Sequence, residues 1–269
     1  MNPGPAEQQD AAWTTEGVAP MWRPGLVMRL FMRMVAAVER LNRRQARLGN
    51  PCVYSASAFP WAAPLEREWP AIRGELDQLL LRKQELPNVQ DITADARSIT
   101  HDDRWKVFLF TAYGVHSRRN CELCPQTWRA VRRIPGLRTA MFSILEAGKC
   151  IPPHRGPYNG VLRLHLALKV PQPSGALGIR VGSELCQWEE GRALIFDDSY
   201  EHEVWNRSQD ERVVLFVDFD KPLAQPARLV NALMIRLAAF TPFLREGQDN
   251  LRRWEQRFHR AARPAGGES

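Results

Sequence analysis

The stretch WEEGRALIFDDSYEHEVWN, residues 188–206, decides the fold. It holds two short runs, Ala193–Phe196 and Glu203–Asn206, with the turn Glu190-Gly191 before the first and a polar link between them. Short apolar and aromatic runs bounded by Gly, Asp and Ser read as strands. The same pattern continues outward. Arg138–Glu146, Leu162–Val170 and Leu177–Gly182 come before it, and Arg212–Phe219 follows. Turn signals separate them at Ala147-Gly148, Pro157 to Gly160, Pro173-Ser174-Gly175 and Ser208-Gln209-Asp210. Many short strands at close spacing predict a mainly β domain, a sandwich or jelly roll, with helices at its flanks.

Working outward, the chain divides into five segments. Residues 137–223 are the β core. Residues 49–136 lead into it, with a helix over 65–85 interrupted near Pro70, a polar loop over 86–103, a buried strand from Trp105 to Tyr113, and a short helix around Trp128 to Arg132. Residues 1–20 are rich in Pro, Gly, Ala, Glu and Gln, show no apolar period and read as disordered. Residues 21–48 read as a basic amphipathic helix. At about 100° per residue, Arg29, Arg33, Arg40, Arg43, Arg44 and Arg47 fall in one arc, with Leu30, Phe31, Met34, Val35, Val38 and Leu41 opposite. Residues 224–263 form a second basic helical segment, nearly uncharged from Leu229 to Leu244, broken at Thr241-Pro242 and amphipathic through Leu251, Trp254 and Phe258.

Composition narrows the class. The chain has 269 residues, 44% of them hydrophobic and 25% charged, close to a soluble globular average. This excludes an integral membrane bundle, a collagen and a wholly disordered chain. No uncharged run reaches the roughly 18–20 residues needed to span a bilayer, and residues 1–20 lack the basic start and apolar stretch of a signal peptide. The expected location is the cytoplasm, with peripheral attachment to the inner membrane face. Net charge is +7, and the excess sits on the two flanks. Basic flanks suit an anionic surface; two solvated helix faces are the alternative. Five cysteines make no disulfide framework and fit a reducing compartment. Cys121 and Cys124 have zinc-knuckle spacing, but no second pair supplies the four ligands of a structural zinc.

Three histidines stand out. His154 lies in a turn before a strand, His165 sits mid-strand, and His202 lies where one strand ends and another starts. Strand residues alternate faces, so Arg163 and His165 point one way and Leu162, Leu164 and Leu166 the other. In a jelly roll that polar face lines either solvent or a ligand cavity. Two histidines on such strands can converge on one ion, and imidazole suits Fe, Zn, Cu and Ni. The carboxylate commonly found two residues after the first His is missing, since that position is Gly156. The alternative is a pair of loop histidines that only hydrogen-bond. Arg163 and Arg212 lie on the strands next to these histidines and could clamp a carboxylate.

These residues carry a resemblance. FSIL from Phe142, IPPHRGPYNG from Ile151, LRLHLAL from Leu162, the long block from Trp188 to Asn206, and RVVLFVD from Arg212 resemble the aspartyl/asparaginyl β-hydroxylase family of iron- and 2-oxoglutarate-dependent oxygenases. The resemblance implies a distorted double-stranded β-helix, a jelly roll of cupin-like form. It implies Fe(II) held by His154 and His202 alone, with Gly156 where other oxygenases carry an acid, and neither Asp197 nor Asp198 as a ligand. It further implies that Ser143, Arg163, His165 and Arg212 contact the cosubstrate 2-oxoglutarate. The activity implied is hydroxylation of an unactivated C–H bond using O2, with 2-oxoglutarate converted to succinate.

The family acts on Asp or Asn side chains in eukaryotes, and its compact bacterial members include hydroxylases of lipid A and ornithine-lipid acyl chains. The basic flanks and the apolar Leu229–Leu244 segment favour a lipid-linked acyl chain at an anionic membrane surface. The alternatives are a peptide, protein or free amino acid substrate, and a non-catalytic cupin-like binding module. Nucleic acid is not expected as a partner, because the basic flanks lack aromatic interleaving or a recognised motif.

Overall fold

A computed structural model describes residues 25–238 and 242–261. Helix α1 (Leu26–Arg44) is followed by β1 (Val53–Tyr54), α2 (Ala62–Arg67), α3 (Trp69–Leu80) and α4 (Val89–Ile92). Then come β2 (Trp105–Ala112), β3 (Val115–His116), α5 (Arg118–Leu123) and α6 (Pro125–Val131). The β core runs through β4 (Leu137–Leu145), β5 (Cys150–His154), β6 (Val161–Lys169), β7 (Leu177–Val181), β8 (Glu184–Cys186), β9 (Ala193–Phe196), β10 (His202–Asn206) and β11 (Arg212–Asp220). Helices α7 (Ala227–Ala238) and α8 (Pro242–Ala261) end the described chain. The disordered reading of residues 1–20 lies outside the described residues.

The strands form two antiparallel sheets. The larger has the order β1-β9-β6-β11-β4-β2-β3 and the smaller β5-β10-β7-β8. Consecutive strands from β4 to β7 alternate between the sheets, and β8 to β11 return the same way, which is the double-stranded β-helix topology. The expected fold class is therefore the observed one.

Alternation gives the larger sheet two different faces. The outer face is apolar: Leu162, Leu164, Leu215, Val217, Phe142 and Phe108 are buried there. Helix α3 covers part of it with Ile72, Leu76 and Leu79. Helix α8 covers another part, where the Phe108 ring lies 6.0 Å from both Trp254 and Phe258. The apolar stripe of α8 therefore belongs to the core, and Arg252, Arg253 and Arg257 lie on its exposed face. The inner face is polar. Register pairs Asp218 with Arg163 and Phe216 with His165 across β11 and β6, and Val214 with Ser143 and Arg212 with Leu145 across β11 and β4.

Other departures have simple causes. His154 ends strand β5 and does not lie in a turn. Pro152 and Pro153 disguise the strand, and proline is tolerated there because β5 is a sheet edge. Residues 86–103 are not a polar loop: they hold α4 and bury Leu86, Val89, Ile92 and Ala96. The break at Pro70 is as expected, with α2 ending at Arg67 and proline entering the first turn of α3. Cys121 and Cys124 are buried free thiols, and burial raises the pKa of both. Among the described residues no group of three His, Cys, Asp or Glu side chains could hold a metal.

Candidate active site

His154 and His202 are register partners on β5 and β10, with ring centroids 4.1 Å apart. Each ring is oriented by its own backbone. The Nδ1 of His154 lies 2.8 Å from the Pro152 carbonyl, and that of His202 lies 2.9 Å from the Tyr200 carbonyl. A carbonyl can only accept, so Nδ1 carries the proton and Nε2 keeps its lone pair. That is how a metal-binding imidazole is prepared. Burial, joined by the nearby Arg163 charge, pushes His202 down to about 3, and burial lowers His154 as well. Both rings are neutral at neutral pH.

Gly156 explains why no third ligand stands beside them. Its N–H donates to the Asp198 carbonyl at 2.8 Å, and a Cβ on Gly156 would run into the Asp198 carboxylate. Asp198 is buried and turned to Arg163, whose Nη2 lies 2.9 Å from Oδ2. The neighbouring Asp197 has a different task. It accepts from the Ser199 hydroxyl at 2.6 Å and from Lys221 Nζ at 2.7 Å, which fixes the turn before His202.

The two candidate clamp arginines are unlike. Arg163 is already matched: its Nε donates to Asp218 Oδ1 at 2.8 Å, its Nη2 meets Asp198, and its guanidinium lies 4.2 Å from the Phe216 ring centroid. It is no open carboxylate clamp. Arg212 is unmatched. It is 2% exposed, its guanidinium lies 4.6 Å from the Trp188 ring centroid, and its Nε and Nη1 have no hydrogen-bond partner. Burial alone lowers its pKa to about 9, which still leaves it charged at neutral pH. A buried, charged, unpaired guanidinium needs an anion.

Other buried groups near Arg212 lack partners among the described residues. Both ring nitrogens of His165 and the Nε1 of Trp188 lack partners, and the His165 ring lies 6.1 Å from Trp188, 5.1 Å from Phe196 and 5.4 Å from Phe216. Phe196 in turn lies 5.7 Å from the His202 ring. Ser143 accepts from Trp105 Nε1 at 3.0 Å, which leaves its own hydroxyl proton free to donate. Buried polar groups are usually satisfied, so this group of orphans marks a binding site. A cleft of about 580 Å³ elsewhere on the molecule, lined by Leu86, Trp254 and Phe258, contains none of these residues.

The structure thus brings His154, His202 and His165 together between the sheets and places Ser143, Arg163 and Arg212 on the facing inner surface. Sequence reading missed Trp188, Asp198 and Asp218 as site-lining groups. Asp218 has the same strand parity as Arg212, and that was the available signal.

A family model, Aspartyl/Asparaginyl beta-hydroxylase, matches residues 66–222. The chain belongs to the aspartyl/asparaginyl β-hydroxylase family. Membership makes hydroxylation the reaction class. One relative is the "Ornithine lipid ester-linked acyl 2-hydroxylase" of Rhizobium tropici, 56% identical over 261 residues, which are 97% of this chain and 92% of that one. The human "Aspartyl/asparaginyl beta-hydroxylase" is 32% identical over 231 residues, covering 74% of this chain and 30% of its own length. Among solved structures, a prolyl-4-hydroxylase from Pseudomonas putida matches 57% of this chain and 87% of its own, with TM-score 0.37 and 17% identity.

Proposed function

We propose that this hydroxylase is Fe(II)- and 2-oxoglutarate-dependent and acts on a lipid-linked acyl chain. The carrying observation is the buried Arg212, without a hydrogen-bond partner at Nε and Nη1 among the described residues, which is linked through Trp188, His165 and Phe196 to two histidines whose Nε2 lone pairs are free. This donor set fits both groups. His154 and His202 would hold the iron, and imidazole is a suitable ligand for it. Arg212 would take the far carboxylate of 2-oxoglutarate, with a hydrogen bond from the Ser143 hydroxyl. When bound, iron and 2-oxoglutarate supply the oxidising power that places one oxygen atom of O2 into a C–H bond while 2-oxoglutarate becomes succinate and CO2.

The chain's own residues then do four things. The Pro152 and Tyr200 carbonyls hold both histidines in the metal-binding tautomer. Arg212 and Ser143 orient the cosubstrate. Asp198 and Asp218 hold Arg163 beside the histidines, where its positive charge disfavours protonation of both rings. Phe196, Phe216 and Trp188 keep water from the cavity wall. The lipid substrate rests on the Rhizobium tropici relative, which aligns along nearly the whole of both chains.

Purified protein given Fe(II) and 2-oxoglutarate without oxygen should develop a weak visible charge-transfer band. With oxygen and a membrane lipid extract containing ornithine lipids, the lipid should gain the mass of one oxygen atom. A band with no lipid product, and a product from Asp- or Asn-containing peptides, would move the substrate to the peptide alternative. No band and no succinate would leave a non-catalytic binding module.

A further inference from the structure

Helices α1 and α7 pack side by side and carry large apolar side chains that are exposed among the described residues. On α7, Ala227, Asn231 and Ile235 are buried and recur every four residues. Leu229, Leu233 and Leu237 recur with the same spacing but two residues out of phase, and are 66%, 57% and 54% exposed. At about 100° per residue the two stripes face opposite ways, so the leucines point away from the domain. On α1 the C-terminal half is anchored by buried Val38 and Asn42, while Leu30, Phe31 and Met34 in the N-terminal half are exposed. Isolated exposed leucines are ordinary; six large apolar residues exposed on two adjacent helices are not.

The charge around the patch selects its occupant. Arg29, Arg33, Arg40, Arg228 and Arg236 are exposed, and among the described residues none of them forms an ion pair. Glu39 is the one acid in the two helices. On α1 the arginines lie opposite Leu30, Phe31 and Met34, and on α7 Arg236 borders Leu229 and Leu233; such amphipathic helices are complementary to an anionic lipid interface, where the apolar side chains enter the acyl boundary and the cations meet phosphates. No described helix is long and apolar enough to cross a membrane, so this surface would lie on the bilayer.

The patch is also tied to the active site. The loop leaving His154 carries Tyr158 and Asn159. Tyr158 donates to Asn231 of α7 at 2.7 Å and accepts from Asn42 of α1 at 3.0 Å. Asn42 also donates to Asn159 at 3.1 Å, and Asn231 donates to the Gly160 carbonyl at 2.9 Å. Asn42, Asn159 and Asn231 are all buried, so the helix pair and the loop beside the histidine pair are held in one fixed arrangement.

We propose that α1 and α7 form a docking surface for anionic membranes, and that the Asn42–Tyr158–Asn231 contact fixes the mouth of the active site relative to the lipid surface. The inference deepens the proposed function and shares its premise of a bilayer lipid substrate. The test is co-sedimentation of the full chain with vesicles of phosphatidylcholine alone or mixed with phosphatidylglycerol, at low and high salt. Two triple variants accompany it, Leu229→Ser/Leu233→Ser/Leu237→Ser and Arg29→Gln/Arg33→Gln/Arg40→Gln. Both alter exposed residues only, and thermal melts check that they fold.

The expected result is capture by the mixed vesicles, weakened by salt, and at least about tenfold weaker apparent affinity for each variant. Equal capture of wild type and variants, or no capture of wild type, overturns the proposal. So does a wild-type dimer that the leucine variant makes monomeric without any vesicle binding, which would make the patch a self-interface. Vesicle capture without oxygen gain by any lipid leaves docking standing and removes the lipid substrate. Hydroxylation of detergent-dispersed lipid without vesicle capture does the reverse.

Discussion

Arg163 and Asp218 face each other across β6 and β11, with Nε donating to Oδ1 at 2.8 Å, and both belong to the polar inner face of the larger sheet. The pair settles which arginine is available to a ligand. Among the described residues Arg163 has two protein carboxylates, and Arg212 has none.

Breaking that pair should therefore destabilise the protein itself. Asp218→Asn leaves Arg163 with Asp198 alone in a buried site. Losing one partner of a buried ion pair costs about 3–5 kcal/mol. Some of that is recovered here because Asp198 remains. The expected outcome is a clear fall in melting temperature of the metal-free protein, read by calorimetry, with Asp218→Glu closer to wild type.

Arg212 predicts the opposite sign. Its charge is buried without a counter-ion, so Arg212→Met should melt at or above the wild-type temperature when no cosubstrate is present. The same variant should need on the order of a hundredfold or more 2-oxoglutarate, since a buried Arg–carboxylate pair that loses one side costs about 3–5 kcal/mol. Titration of 2-oxoglutarate against succinate formation checks this. An unchanged requirement would remove Arg212 from the cosubstrate site.

His202→Ala should abolish iron retention. With Gly156 in place of an acid and Asp198 held by Arg163, one remaining imidazole has no partner ligand. Iron content measured after desalting should fall to background, and succinate formation by at least about 100-fold. Near wild-type values for either would refute the two-histidine site.

His165 should make the metal-free protein sensitive to acid. Burial holds its ring well below the ordinary histidine value, and Arg212 and Arg163 add to that. Below about pH 6.5 the unfolded chain takes up a proton that the folded chain refuses, so stability falls with pH by up to ~1.4 kcal/mol per unit. His165→Phe keeps an aromatic ring beside Phe196 and Phe216 and removes this proton. The gap between variant and wild-type melting temperatures should widen as pH drops from about 7 to about 5. Parallel curves would show that His165 titrates normally.

Trp254→Ala tests the packing role of α8. Trp254 stacks on Phe258 at 4.9 Å, and both rings meet Phe108 on the outer face of the larger sheet. Truncating a buried tryptophan costs about 3–5 kcal/mol, which is roughly 6–20 °C in melting temperature for a domain of this size. Vesicle binding should be unaffected.

How much of this was legible depended on whether a feature was local. Strands β4, β6, β7, β9, β10 and β11 were readable because each is an apolar run between turn signals. Strands β5 and β8 were not: one carries Pro152-Pro153, the other is Glu184–Cys186, and both are sheet edges where pairing makes weak sequence demands. Of the six site residues, strand parity grouped Arg163 with His165, and the family resemblance supplied the set with Ser143 in it; the structure pairs His154 with His202 and puts Ser143, Arg163, His165 and Arg212 on one sheet face. The difference between Arg163 and Arg212 was invisible, because it depends on Asp218, which is 55 residues from Arg163 in the chain. Hydrophobic periodicity marked α1 and α8 as equally amphipathic. It could not say that Trp254 and Phe258 face protein while Leu30 and Phe31 face outward.

Gly156 and Asp198 also constrain the chain's evolutionary neighbourhood. Adding an acid at position 156 is a single substitution on paper, and would add a carboxylate to the proposed two-histidine set, the commoner arrangement. Here that step collides with Asp198, and shrinking Asp198 strips a buried arginine of one of its two counter-charges. The backbone approach at position 156 and the counter-charge on Arg163 are therefore coupled, and an acid at 156 requires a compensating change at 198.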